Sequence, residues 1–118
     1  MPLAKNMTGA FPPAQARALG GTMSLAVAAA GTTQGTATDL VADINRVTSG
    51  TGGVQLYAGD VGDSQEIFNA TSSAITVYPP ASAAINQLAA NSGFSLGAYT
   101  SVVCRCFSST QWTAYLSA

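Results

Sequence analysis

The sequence predicts an all-β domain: a single antiparallel β-sandwich or jelly-roll-like barrel with an extended N-terminal arm. Three observations predict it. From Thr22 onward, short runs rich in Val, Ile, Thr, Tyr and Phe are broken at close intervals by Gly, Asn, Ser and Pro, which is the punctuation of strands and turns. Several runs alternate with period two, most clearly Val102, Cys104 and Cys106 against Val103, Arg105 and Phe107, so one set faces a core and the other faces outward. The 118 residues, 47% hydrophobic with a formal net charge of −1, suffice for one core and are the opposite of a disordered composition.

Residues 1–22 read as an arm. They hold two of the four cations and three of the five prolines, with no strand-like alternation. Pro12-Pro13 forces extended backbone and Gly20-Gly21 supplies a hinge. Residues 14–19 could make one helical turn, too short to stand alone. Residues 23–118 read as the β-sandwich domain, with strands expected at 22–29, 44–48, 53–56, 64–69, 75–78, 94–96, 101–107 and 111–116. A single turn is expected at 38–42. The short segment 69–73 reads as a hairpin connection between its flanking strands, and Ser108-Ser109 joins the final pair in the same way. No internal repeat is visible.

Composition excludes several functions. Four scattered cations cannot form the basic stripe that nucleic acid requires. There is no histidine, the commonest general base and metal ligand. No apolar run approaches the roughly 18–20 residues that span a bilayer, and Pro12-Pro13 and Gly20-Gly21 interrupt the region where a leader's apolar segment would lie, so a soluble chain is expected. Cys104 and Cys106, one residue apart on one strand face, are about 6–7 Å apart. That is poor geometry for a disulfide, and they read as reduced core residues.

Local candidates for chemistry are weak. The segment Ser49-Gly50-Thr51-Gly52-Gly53 lacks the following helix and the lysine of a phosphate loop and reads as a turn. The segment 60–66 holds Asp60, Asp63 and Glu66, but its spacing matches no calcium loop, and a turn whose Asp63 and Ser64 bond the local backbone is expected. No side chain is placed to activate a serine or threonine, so no catalytic residue, metal ligand or cofactor is assigned. Of the aromatics, Tyr57, Phe68, Tyr78, Phe94, Phe107, Trp112 and Tyr115 read mainly as core. Tyr99, between Gly97 and Thr100, reads as a turn residue.

The distribution of charge carries more weight. From residue 67 to residue 104 there is no ionisable Asp, Glu, Lys, Arg or His. A monomeric sandwich normally carries charges on its outer faces and edges, against edge pairing and for solubility. Such a stretch implies that another copy of the chain covers it.

Five ordered blocks then become recognisable: 62–69; Ala74-Ile75-Thr76-Val77-Tyr78-Pro79-Pro80; Ile85-Asn86-Gln87-Leu88-Ala89-Ala90-Asn91; Phe94-Ser95-Leu96; and Cys106-Phe107-Ser108-Ser109-Thr110-Gln111-Trp112. Over about residues 29–118 the chain resembles a small β domain of tailed-bacteriophage virion proteins, namely capsid decoration (cement) proteins and head-fibre knobs. Members often have glycine where this chain has Ala83 and Tyr99, so those two turns are expected to be built differently. The resemblance implies a homotrimer on the outer surface of an icosahedral capsid, partnered by itself and the major capsid protein, with no catalysis. A receptor- or glycan-binding knob of a fibre or tail tip is the alternative. On this reading Pro2, Leu3, Lys5, Met7, Phe11, Pro12, Pro13, Arg17 and Leu19 of the arm grip the shell, and Ile75, Val77, Tyr78, Ile85, Leu88 and Phe94 form the trimer contact.

Overall fold

The computed structural model describes residues 22–116, and its regular structure apart from one short 3-10 turn is β. The strands are β1 (Met23–Ala29), β2 (Thr38–Asp39), β3 (Ile44–Gly50), β4 (Gly53–Gln55), β5 (Ser64–Asn69), β6 (Ile75–Tyr78), β7 (Ala84–Ile85), β8 (Phe94–Leu96), β9 (Ser101–Ser108) and β10 (Gln111–Leu116). They make a six-stranded sheet in the order β1-β3-β5-β9-β10-β7 and a four-stranded sheet in the order β2-β4-β6-β8. Four of the expected strands gain or lose no more than two residues at an end, and β5, β6, β8 and β10 have the expected bounds. A short strand, β2, lies within the turn expected at 38–42, and β7 had no counterpart in the expected set.

The expected antiparallel topology is corrected. From β1 to β6 the chain alternates between the sheets, one strand in each, so every return to a sheet lays a strand beside its predecessor in the same direction. The pairs β1–β3, β3–β5, β2–β4 and β4–β6 are all parallel. Parallel strands need a crossover, and here the crossover is a strand of the opposite sheet. The step is 21 residues from Met23 to Ile44 and 22 from Ile44 to Glu66, a coil repeat in the backbone that the side chains do not repeat. Apart from the isolated Ala30–Gly53 bridge, antiparallel pairing enters when the C-terminal strands close the structure, with β8 on β6 and β9 between β5 and β10. The expected hairpin at 69–73 is therefore a sheet-changing corner, while Ser108-Ser109 does join an antiparallel pair.

One core is shared by both sheets. The six-stranded sheet contributes Val47, Ile67, Val102, Cys104, Cys106 and Trp112, and the four-stranded sheet contributes Val54, Ile75, Val77 and Leu96. The alternation along β9 holds: Val102, Cys104 and Cys106 are buried while Arg105 and Phe107 are exposed. Burying an Ile or Leu side chain stabilises by about 1.5–3 kcal/mol.

Corners between the sheets are built by glycine and by buried amides. After β3, Gly50 and Gly52 have φ of +82° and +109°, and a Cβ at either would collide with the carbonyl oxygen of Ala29 or Gly31. The segment read as a turn is thus a corner packed against the preceding coil. Gln65 faces inward from β5 and pairs twice with the Tyr57 backbone, its Nε2 donating to the carbonyl at 2.9 Å and its Oε1 accepting from the amide at 3.1 Å. Asn69 does the same for the next corner. Its Nδ2 donates to the carbonyls of Ser73, Leu96 and Gly97, and its Oδ1 accepts from the Thr71 amide and hydroxyl. These side chains satisfy loop groups that would otherwise be buried unpaired.

Candidate interaction surface

The acidic turn and the cysteines are structural. Asp63 accepts from the Asp60 amide at 2.8 Å, and Gly62 turns with φ of +95°, so the carboxylate holds its own loop as expected. Among the described residues no three His, Cys, Asp or Glu side chains come together as a metal cluster. Both thiols are free and buried. Burial pushes the Cys104 thiol up to about 12, and burial together with Asp63 and Asp60 raises Cys106.

Asp43 holds the residue that precedes β1. Its Oδ2 accepts from the Thr22 amide, its own amide donates to the Thr22 hydroxyl, and Ile44 N donates to the Thr22 carbonyl. The other carboxylate oxygen accepts from the Tyr57 hydroxyl, and burial and that bond raise the phenol above its ordinary value. A shallow cleft of about 250 Å³ opens nearby between β1 and residues 38–41, with Asp39 the one ionisable side chain in its lining. Asn45 also borders it. Its Nδ2 donates to the Ala42 carbonyl, and its buried Oδ1 has no partner among the described residues.

The residues expected to contact the shell, Pro2, Leu3, Lys5, Met7, Phe11, Pro12, Pro13, Arg17 and Leu19, lie outside the described residues. Those expected at a trimer contact separate into two groups. Ile75, Val77 and Ile85 are closed within the chain's own core and present no surface to a neighbour; along β6, period-two alternation turns Ile75 and Val77 inward. That part of the expectation is corrected. Tyr78 is half-buried with its hydroxyl donating to the Thr32 carbonyl, Phe94 packs on the core edge, and Leu88 is exposed. Across the uncharged stretch 67–104, most other outward side chains are Ser, Asn and Gln, which hydrate without charge, and small Ala.

Exposed apolar side chains collect instead on the outer face of the six-stranded sheet. Pairing registers place Met23, Ile44, Glu66, Val103 and Tyr115 in one row across five strands. Arg46 and Phe68 are paired in the next row, and Arg105 lies opposite Ser64 on the other side. Met23 is 60%, Phe107 52% and Tyr115 53% exposed, and Leu25 and Phe68 are exposed too. The expectation that the aromatics are mainly core is corrected here: Trp112 belongs to the core and Phe94 packs against it, whereas Phe68, Phe107 and Tyr115 point outward. The signal was present in the alternation for Phe68 and Phe107, which follow the core residues Ile67 and Cys106.

The two turns expected to differ from the glycine-bearing pattern keep a glycine-like backbone. Ser82 has φ of +67° and Tyr99 of +57°. Asn86 and Asn91 are also left-handed, and each side-chain oxygen accepts a backbone amide, from Ala114 and Ser82 respectively. The Asn spacing in that block is thus accounted for by loop construction. Compared with protein-family models, curated proteins and solved structures, the chain shows no match.

Proposed function

We propose that the chain is a structural virion protein: a homotrimeric decoration (cement) protein on the outer surface of a tailed-phage capsid, stabilising the shell without catalysis. The body, read as a β-sandwich, stands on the shell, and the arm grips the major capsid protein. An extended segment covers much surface for its length and meets its ordering cost on binding. The observation that carries this reading is the outer face of the six-stranded sheet, where Met23, Leu25, Phe68, Phe107 and Tyr115 stand exposed around three charges. A contiguous apolar area of this kind marks a contact surface. The order of the five sequence blocks supplies the virion context.

A second reading, a glycan- or receptor-binding knob, is favoured by Tyr99, which is 64% exposed on a left-handed turn closed by the Thr100 hydroxyl donating to the Gly97 carbonyl. Aromatic faces on rigid turns suit sugar stacking. Immunogold labelling of intact particles with antibody against this chain separates the two. Label over the shell supports decoration, label at the tail tip supports the knob, and unlabelled particles contradict both.

A further inference from the structure

We propose that copies of this chain meet through the outer face of the six-stranded sheet, with Glu66 of one copy paired to Arg46 or Arg105 of its neighbour. This deepens the oligomeric reading above by naming its surface. Three observations converge on it.

The first is charge complementarity. Glu66 lies at the middle of the face. Its pairing partners are Ile44 and Val103, so Arg46 and Arg105 stand diagonally on opposite sides of it, one strand away in each direction. Diagonal neighbours are about 7–8 Å apart. Among the described residues none of the three forms an ion pair: Arg46 Nε donates to the Leu25 carbonyl at 3.0 Å, and Glu66 and Arg105 have no charged partner. Three charges of mixed sign, two positive and one negative, form a pattern that a second copy can complement.

The second is the apolar surround. Met23, Phe68, Phe107 and Tyr115 flank the charges, giving the aromatic and arginine composition of an interface centre. The third is the rest of the uncharged stretch, whose outward Ser, Asn and Gln side chains form no comparable patch. In a ring of three, β5 of one copy faces the β3 or β9 side of the next, so that each Glu66 carboxylate meets a neighbour's Arg46 or Arg105. A charged pair excluded from water at such a contact fixes its register.

Sedimentation of the full-length chain and its variants tests this. Glu66→Arg, and separately Arg46→Glu with Arg105→Glu, are each expected to raise the dissociation constant at least about tenfold. Combining all three reversals in one chain makes every contact complementary again and restores assembly, which a folding defect could not do. Glu66→Gln keeps the shape of the side chain and weakens assembly in the same direction if reversal prevents folding. Val41→Asp, exposed just after β2 of the four-stranded sheet and away from the face, leaves assembly unchanged. A wild-type monomer, or an assembly indifferent to all face variants, overturns the proposal. So does loss of shell binding with assembly intact, which would give the face to the capsid. Disrupted assembly of a protein that never labels a virion keeps this proposal and overturns the decoration reading.

Discussion

The Asn69 side chain is fully buried and bonds three carbonyls and both donors of Thr71, so its loss leaves several loop groups unpaired. Asn69→Ala is expected to cost about 2–4 kcal/mol by urea denaturation. An unchanged midpoint would show that the corner is held by something else. Tyr99 makes the opposite case. At φ of +57° a glycine carries no Cβ penalty, so Tyr99→Gly is expected to raise the melting temperature by a few degrees. Cys104 adds a pH dependence. Its folded value of about 12 lies above the ordinary 9.0, so the unfolded thiol ionises first. The contribution is intact below pH 9 and is lost between pH 9 and 12, at about 1.4 kcal/mol per pH unit for one group. Denaturant titrations at pH 8 and pH 10 check the sign, and Cys104→Ala is expected to flatten the decline.

Strands were legible in the sequence where alternation and β-branched residues coincide, as in β5, β6 and β9, because a half-buried strand must show its two faces. Topology was not. The loop after Asn69 has the length of a hairpin, and nothing in its composition announces that Asn69 turns inward and sends the chain to the other sheet. The two-residue strands β2 and β7 were illegible for a simpler reason: neither is long enough to show a period. The contact residues divide along the same line. Ile75, Val77 and Ile85 are apolar in sequence, but apolar character alone cannot distinguish a chain's own core from a neighbour's surface. At this scale β6 is the core strand of the four-stranded sheet. Ile75→Asp or Val77→Asp, which buries an unpaired charge, is expected to cost several kcal/mol and to abolish folding, read as loss of soluble protein and of near-UV circular dichroism. A folded, soluble variant at normal yield would contradict their burial.

At the scale of the molecule, nine charged side chains serve 118 residues, and three of them sit together on one apolar sheet face. Among the described residues, the surface of the stretch 67–104 relies on small neutral groups for hydration. The coil of alternating strands gives that face its breadth, since each return to the sheet adds a parallel strand, and the closing β9 and β10 extend it. Removing residues 2–21 is expected to leave this body folded and assembled while abolishing attachment to shells, as measured by cosedimentation. Undiminished attachment would assign the grip to the body. The most direct measurement of the central claim is the mass of the intact wild-type chain in dilute neutral buffer by sedimentation equilibrium. The account predicts three chains per particle. A stable, freely soluble single chain with its six-stranded face open to water would contradict it.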